Sequence, residues 1–363
     1  MSGQLRVLFV DDEPRVLEGI ERMLFDVADG WEIHLAEDGD AALGLLAQQE
    51  FAVVISDMRM PGMDGAALLE QVRHLHPATV RVILSGQTDE RSARRALRVA
   101  HRFLSKPCSG ANIVEVLRRA ERMNSVIASP SLRAAIASVD QLPTPAATYY
   151  ELTALLADEG ASIQAIMALV RRDPALTAKV LQIANSAMFA RGAAATADLQ
   201  GAVLVLGTRL LSSLALAEGA FSHAGRGASA PALAAMQARA LRAAHAAWRL
   251  AHGSEDREAA FSGALLAEVG RLLLVGTETE REVRDMDEVH PSVGAYLLSI
   301  WGLPDQVVDA VATHRRANLI PDQGAWVSAV VHTCMAIAHG ESPDARLVRC
   351  YCLDLSRLDQ GDA

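Results

Sequence analysis

Polar side chains stand directly after short apolar runs at four places in the first third of the sequence. They are an acidic pair, a lone aspartate, a hydroxyl and a lysine: Asp11 and Asp12, Asp57, Ser85, and Lys106. Such runs are typical of buried parallel strands, whose carboxyl ends meet at one edge of a sheet. Converging carboxylates need a hard cation, and a cation together with a lysine is the equipment of phosphoryl transfer. The pattern therefore predicts a reactive carboxylate at this edge.

The elements that position these groups alternate along the chain. Asp57 ends the central apolar run, and Pro61 and Gly65 then turn the chain before a helix that begins near Asp64. Strands and helices alternate in this way until a last helix around residues 108–120. Five strands alternating with helices predict a doubly wound α/β domain with a parallel sheet.

These positions resemble the receiver domain of two-component response regulators, a flavodoxin-like fold with five parallel strands. The resemblance implies that Asp57 is the phosphorylated residue. It implies that Ser85 and Lys106 contact the phosphoryl oxygens and that Phe103 changes rotamer. It also implies that Mg²⁺ is held by three carboxylates and one main-chain carbonyl: Asp11, Asp12, Asp57 and Arg59. A proline at position 107 permits the cis Lys-Pro bond that family members have here.

Composition bounds the class of protein. The chain has 363 residues, enough for two domains with separate cores, and 51% of them are hydrophobic. A formal net charge of −10 gives no electrostatic case for binding nucleic acid or an anionic membrane. We see no signal peptide and no membrane-spanning run, so we expect a cytoplasmic protein with reduced cysteines.

Beyond the receiver the pattern is helical. We expect a receiver, a helical linker, a second helical domain and a charged tail, over residues 4–122, 123–140, 141–340 and 341–363. Sequence segments in the second domain resemble HDOD domains, an all-helical family related to the HD phosphohydrolases. Among them are Arg172-Asp-Pro-Ala-Leu-Thr-Ala-Lys-Val-Leu, Ala184-Asn-Ser-Ala-Met-Phe and Gly294-Ala-Tyr-Leu-Leu-Ser-Ile-Trp-Gly-Leu-Pro.

The HD phosphohydrolases bind metal through histidines and aspartates, and most of these are replaced here. An alanine and a glutamate, Ala267 and Glu268, replace the His-Asp pair. Arg239 stands at the first histidine position, with His245 close by as the alternative. Two histidines are retained, His290 and His314, and Arg315 replaces the histidine next to His314. Arginine offers no lone pair to a metal, so we expect no metal in the HDOD domain.

Three arrangements of this degenerate pocket are open at this point. Glu268 forms an ion pair with Arg239 or Arg315, the arginines face solvent, or they bind a phosphate-bearing ligand. We expect His290 and His314 to be hydrogen-bonded inside the helical core. We expect His74 and His101 to lie separately at the surface.

Two functions follow from the resemblances. In the first, a sensor histidine kinase phosphorylates Asp57, and the non-catalytic HDOD domain acts as an output that binds a downstream protein of unknown identity. The receiver face that phosphorylation alters would either form a homodimer or release the HDOD domain. The alternative is an HD-type, metal-dependent phosphodiesterase that acts on a cyclic nucleotide and is gated by the receiver. A transcription factor has little support, since no basic recognition helix is found.

Overall fold

The computed structural model describes residues 5–25, 30–86, 95–96, 99–127, 129–137, 139, 142–144, 148, 151–152, 154–155, 162–186, 195–216, 222–223, 230–274 and 286–358. The chain divides into two compact units, made mainly of residues 1–140 and of residues 141–363. No helix in these ranges is both long enough and apolar enough to cross a membrane.

The first unit is built on a five-stranded sheet in which every pairing is parallel. The strands are β1 (Leu5–Val10), β2 (Trp31–Ala36), β3 (Val53–Asp57), β4 (Val80–Ser85) and β5 (Arg102–Ser105). Their order in the sheet is β2-β1-β3-β4-β5. Every residue of β3 and β4 is buried, as expected for central strands covered by helices on both faces. The predicted α/β fold is confirmed.

Helices follow the strands and begin at clear sequence signals. They are α1 (Pro14–Leu24), α2 (Gly39–Leu46), α3 (Gly65–Leu75) and α4 (Gly110–Val126). Proline occupies the first turn of α1, where its missing N–H costs nothing. Asp38 and Asp64 cap α2 and α3 by accepting the N–H groups of Ala41 and Ala67 at 2.7 and 2.8 Å.

Gly65 lets α3 begin directly against the end of β3. A Cβ atom at this position would lie 2.0 Å from the Asp57 carbonyl oxygen, which no side chain tolerates. The Gly65 N–H donates to the Met58 carbonyl at 3.1 Å. The glycine thus fixes the turn that follows Asp57.

A separate short helix, α5 (Pro130–Ala137), follows α4 within the first unit. The Ser129 hydroxyl accepts the Leu132 N–H at 3.3 Å, so a serine caps the helix and a proline opens it. Leu132 and Ile136, four residues apart, are both buried. The helix therefore has one apolar face.

The second unit is almost wholly helical in its described part. Its helices are α6 (Ile163–Val170), α7 (Pro174–Ala184), α8 (Leu199–Leu216), α9 (Ala230–Leu250), α10 (Arg257–Leu266), α11 (Val269–Leu274), α12 (Met286–Ile300), α13 (Asp305–Thr313), α14 (Trp326–Ala338) and α15 (Ala345–Cys350). One pair of two-residue strands, Pro143–Thr144 and Ser222–His223, accompanies them. Helices α9, α10, α13 and α14 pack on one another and form the core.

Helix α7 is buried along its whole length and is anchored at its first turn. Asp173 precedes it, is itself buried, and accepts the Leu176 N–H at 3.0 Å. The Gln237 side chain of α9 donates to the other carboxylate oxygen at 2.6 Å. This aspartate therefore joins α7 to α9.

The segment from residue 341 packs on the second unit as far as residue 358. Leu347 of α15 is fully buried in a cluster with Ile320 and Ala329. The Tyr351 hydroxyl donates to the Pro321 carbonyl at 2.6 Å. The sequence pattern predicted only a charged tail here, because one buried leucine among charged residues gives no periodicity.

Candidate functional site

The carboxyl ends of β1, β3 and β5 bring two carboxylates and an ammonium group together. Asp11 is 1% exposed and Asp57 is 6% exposed. The Lys106 Nζ atom lies 2.6 Å from Asp11 Oδ2 and also contacts Asp57 Oδ1. The remaining oxygens accept main-chain N–H groups, Asp11 Oδ1 from Glu13 at 3.1 Å and Asp57 Oδ2 from Arg59 at 2.6 Å. Both carboxylates are thus held in fixed orientations.

Lys106 is the counter-charge of this edge. Burial by itself would lower the pKa of its ammonium group, but the hydrogen bonds to Asp11 and Asp57 outweigh burial, and the pKa is raised. Asp12 is exposed beside the pair. Three carboxylates and one ammonium leave the edge negatively charged.

The chemistry of this edge fits Mg²⁺. A hard divalent cation takes oxygen ligands, and the negative charge that Lys106 leaves uncompensated is of the sign it requires. Among the described residues, no three histidine, cysteine, aspartate or glutamate side chains converge as a ready-made metal site. In this arrangement the Lys106 ammonium bridges Asp11 and Asp57.

Strands β4 and β5 position the other two predicted residues. Ser85 ends β4 and is buried, and Phe103 in β5 is buried opposite Ile83. The Lys106 N–H donates to the Ser85 carbonyl at 2.7 Å, which ties the two residues together through the main chain. The Lys106–Pro107 peptide bond is cis.

Glu268 is the centre of a second charged cluster, in the helical unit. Its side chain is 3% exposed and lies between α10 and α11 in the chain. Arg239 of α9 donates from Nε to Glu268 Oε2 at 2.8 Å. Arg271 Nε and His339 Nε2 lie 3.1 and 3.3 Å from Glu268 Oε1. The ion pair predicted between Glu268 and Arg239 is present.

Arg315 does not contribute to this ion pair. Its guanidinium binds the Glu341 carboxylate with three N–O distances of 3.1 Å. His245, the neighbouring candidate for the first HD position, is exposed, so Arg239 is the residue that reaches Glu268. Both arginines of the degenerate pocket are therefore neutralised by carboxylates of the chain.

His290 and His314 form a buried pair, as expected. The His314 Nδ1 atom donates to the Val311 carbonyl at 2.7 Å, and its Nε2 atom lies 3.2 Å from His290 Nε2. Because His314 carries its proton on Nδ1, its Nε2 atom accepts from His290. Burial, and then the neighbouring His290, lower the pKa of His314 well below its usual value. His314 is therefore held neutral.

A glycine brings the backbone close to this pair. A Cβ atom at Gly270 would lie 2.0 Å from the His290 carbonyl oxygen and 2.7 Å from the Gly294 nitrogen. Helices α11 and α12 therefore approach each other at main-chain distance.

The prediction for His101 was wrong. Its side chain is 3% exposed and contacts Arg81, which is 0% exposed. Neither residue was predicted as part of a site. An arginine within an otherwise apolar strand run was the available signal, since a buried guanidinium requires acceptors around it. His74 is exposed, as predicted.

Comparison with known families decides what these two units are. Residues 7–118 match the response regulator receiver domain, and residues 142–317 match the HDOD domain. The chain contains a response regulator receiver domain followed by an HDOD domain.

The receiver–HDOD protein shares its similarity with curated relatives over only part of their length. It is 31% identical over 119 residues to the hydrogenase transcriptional regulatory protein HoxA of Cupriavidus necator, covering 32% of this chain and 24% of that protein. It is 35% identical over 147 residues to the C4-dicarboxylate transport transcriptional regulatory protein DctD of Rhizobium meliloti, covering 39% of this chain and 31% of that protein.

Among solved structures, the receiver–HDOD protein is similar to the signal receiver domain of an HD domain-containing protein from Pseudomonas fluorescens Pf-5. The identity is 30%, the match covers 34% of this chain and 99% of that chain, and the TM-score is 0.32.

Proposed function

We propose that this protein is a phosphorylation-dependent response regulator in which Asp57 accepts a phosphoryl group from a sensor histidine kinase. In this proposal the receiver extends over residues 4–122, the linker over 123–140 and the HDOD domain over 141–340. The HDOD domain is a non-catalytic output that binds a downstream protein.

The contact of Lys106 with both Asp11 and Asp57 is the observation that supports this proposal most. An ammonium group shared by two buried carboxylates provides positive charge at the place where phosphorylated Asp57 would carry about two negative charges instead of the one on the free carboxylate. In the reaction, a carboxylate oxygen of Asp57 bonds to phosphorus while the phosphorus–nitrogen bond of phosphohistidine breaks. The electron pair of that bond remains on the imidazole of the kinase.

The other residues of the edge would orient the Asp57 carboxylate and neutralise the charge of the phosphoryl group. The Arg59 N–H holds Asp57 Oδ2, which leaves Oδ1, on the side of Lys106, as the oxygen expected to react. Ser85 would bind a phosphoryl oxygen through its hydroxyl. Mg²⁺ would be held by three carboxylates and a main-chain carbonyl and would supply charge neutralisation: Asp11, Asp12, Asp57 and Arg59.

The charge cluster at Glu268 supports a non-catalytic HDOD domain. Metal-dependent hydrolysis requires several imidazole and carboxylate ligands around one ion. Here the carboxylate at the position of the HD aspartate is engaged by Arg239, and Ala267 beside it has no ligand atom. The domain therefore satisfies this carboxylate with its own cations.

Phospholabelling tests the first half of the proposal. Wild-type protein incubated with a radiolabelled small-molecule phosphodonor and Mg²⁺ should form an acid-stable, base-labile phosphoprotein, and Asp57→Asn should form none. Asp40→Asn, which changes an exposed aspartate of α2, is the matched control and should label as the wild type does. Equal labelling of Asp57→Asn would identify another acceptor and overturn the assignment.

Metal analysis and a hydrolysis assay test the second half. Purified full-length protein should turn over no cyclic mononucleotide or cyclic dinucleotide in the presence of Mg²⁺ or Mn²⁺, before or after phosphorylation. Turnover that is abolished by Glu268→Gln would instead support the phosphodiesterase. Capture of a partner by wild-type protein under phosphorylating conditions, compared with Asp57→Asn, would then identify the output.

A further inference from the structure

Arg81 and His101 lie at the end of β4 and β5 that is opposite to the carboxylate edge. Arg81 is the second residue of β4, and His101 immediately precedes β5. The His101 N–H donates to the Arg81 carbonyl at 2.8 Å, and the Arg81 N–H donates to His101 Nδ1 at 3.1 Å. The two residues are thus joined by their main chains and by the imidazole ring.

The Arg81 guanidinium is fully buried and is bound by main-chain carbonyls. Its Nε atom donates to Val99 at 2.7 Å, and its Nη1 atom donates to Thr79 at 3.4 Å. Its Nη2 atom donates to Ala137 at 3.0 Å. A buried guanidinium is always charged, so each carbonyl that leaves it would leave a costly unpaired donor. The contact with Ala137 is therefore strongly favoured.

His101 binds the same carbonyl. Its Nε2 atom lies 2.8 Å from the Ala137 oxygen and 2.8 Å from Arg81 Nη2. Because Nδ1 accepts the Arg81 N–H, we assign the ring proton to Nε2, so that Nε2 and the adjacent Arg81 Nη2 both donate to the Ala137 oxygen. One carbonyl oxygen has two lone pairs and takes both donors. Ala137 is the last residue of α5, where helix carbonyls have no partner within the helix. A cation at this end is also favoured by the helix dipole.

We propose that Arg81 and His101 are an anchor that fastens the end of the linker helix α5 to strands β4 and β5. Residues 101–106 then connect two contacts, His101 with Ala137 at one end and Lys106 with Asp57 at the other. At about 3.3 Å per residue these ends are roughly 16 Å apart. A shift of β5 caused by phosphorylation of Asp57 is passed to the linker through this anchor. The second step rests on the proposed function, whereas the anchor itself does not.

Two substitutions of His101 distinguish loss of the hydrogen bond to Ala137 from general loss of folding. Asn has an oxygen where His has Nδ1, so His101→Asn keeps the acceptor for the Arg81 N–H and loses the donor to Ala137. Gln reaches as far as Nε2, so His101→Gln keeps the donor to Ala137. Arg81→Lys tests the anchor independently, because one ammonium group does not reach three carbonyls.

Hydrogen exchange of the full-length protein measures the result. In His101→Asn and Arg81→Lys, amides of α5 should exchange at least tenfold faster than in the wild type, while amides of β1 and β3 stay within threefold. His101→Gln should stay within threefold everywhere. Wild-type exchange in α5 for both His101→Asn and Arg81→Lys would overturn the anchor. Should His101→Asn lose protection in β1 and β3 as well, Arg81→Lys decides the outcome.

Beryllium fluoride with Mg²⁺, a mimic of the phosphoryl group, tests the transmission. It should change exchange in α5 at least threefold in the wild type and in His101→Gln, but not in His101→Asn. The same change in His101→Asn would overturn the role of the anchor in transmission. If no protein changes exchange around residues 82–86 and 102–106, the proposed function fails, and the exchange rates without ligand still decide whether the anchor exists.

Discussion

The receiver edge and the Glu268 cluster both contain buried carboxylates, but they differ in how far the negative charge is compensated. At the receiver edge, a single ammonium group serves Asp11 and Asp57, and negative charge is left over. In the HDOD domain, one carboxylate is surrounded by Arg239, Arg271 and His339. The first arrangement calls for an additional cation, and the second already contains its cations.

The difference shows how a chemical site and a structural site are told apart. Side chains that satisfy one another completely have no remaining demand for a ligand. A site that keeps an uncompensated negative charge can still bind a metal ion. The location of the uncompensated charge, more than the number of polar residues, indicates where chemistry takes place.

Removing the Glu268 carboxylate gives the largest expected effect on stability. In Glu268→Ala, the partly buried Arg239 loses its carboxylate partner while Arg271 keeps Asp287, and the free energy of unfolding should fall by about 3–5 kcal/mol. Urea unfolding followed by tryptophan fluorescence measures the change. Trp31, which lies in β2 of the receiver, is replaced by Phe so that it does not contribute to the signal. Glu341→Ala removes the exposed partner of Arg315 and should cost less than about 1 kcal/mol. Equal losses would show that burial does not distinguish the two pairs.

Magnesium sharpens the comparison because it should act on the receiver alone. At a free concentration about 100 times its Kd, Mg²⁺ should stabilise the receiver by about 2.7 kcal/mol. Native-state hydrogen exchange reads the two domains separately. Asp12→Asn should abolish the effect while leaving the metal-free stability unchanged, since Asp12 is exposed. A comparable stabilisation of α9–α11 would place a metal in the HDOD domain and break the comparison.

Asp173 is a further buried carboxylate, and its burial favours the protonated form. Burial raises its pKa to about 6, against the opposing hydrogen bonds from Leu176 and Gln237. The folded state therefore holds this proton more tightly than the unfolded state, whose pKa is about 3.9. Stability should fall as pH rises from about 4 to 6, by up to 1.4 kcal/mol per pH unit.

Asparagine at this position keeps the cap and removes the charge. Asp173→Asn should be about 1–3 kcal/mol more stable than the wild type at pH 7.5 and should lose the slope between pH 4 and 6. Asp344→Asn is the matched control. Asp344 also caps a helix, but hydrogen bonding lowers its pKa, so its substitution should not stabilise the protein at pH 7.5. Chemical unfolding at a series of pH values measures both.

His314 gives the smallest effect, of opposite sign. Its folded pKa is well below that of the unfolded chain, so the folded state does not take up the proton that the unfolded state accepts below about pH 6.5. Stability should fall by about 1 kcal/mol between pH 6.5 and 5.5. His314→Gln should remove this loss, whereas His74→Gln, at an exposed position, should keep it. An unchanged loss in His314→Gln would mean that other groups cause it.

The receiver was predictable because its information is local. Each polar group follows its own strand in sequence, and parallel topology alone brings strand ends to one edge. Asp57, Ser85 and Lys106 could therefore be placed without any knowledge of helix packing. What escaped was His101, because a histidine between strands gives no sign that a buried arginine lies opposite it.

The HDOD cluster was predictable only in part because its contacts join distant helices. The pairing of Glu268 with Arg239 followed from aligned positions, but the partner of Arg315 did not. Arg271 stands three residues after Glu268, a spacing that places both on one side of a helical turn, and this signal was available. His339 was not, since the register of α14 against α10 is set by side-chain packing.

The C-terminal segment has a practical consequence for dissecting this protein. Arg357 donates to the carbonyls of Leu250 and His252, where α9 ends, at 3.5 and 3.1 Å. Family likeness stops forty residues earlier, at residue 317. A fragment cut at that boundary would lack α14, which packs on α9, α10 and α13, and would expose their apolar surfaces to solvent. An HDOD fragment for biochemical work should therefore extend to residue 358, because a shorter one exposes apolar surface and is expected to aggregate.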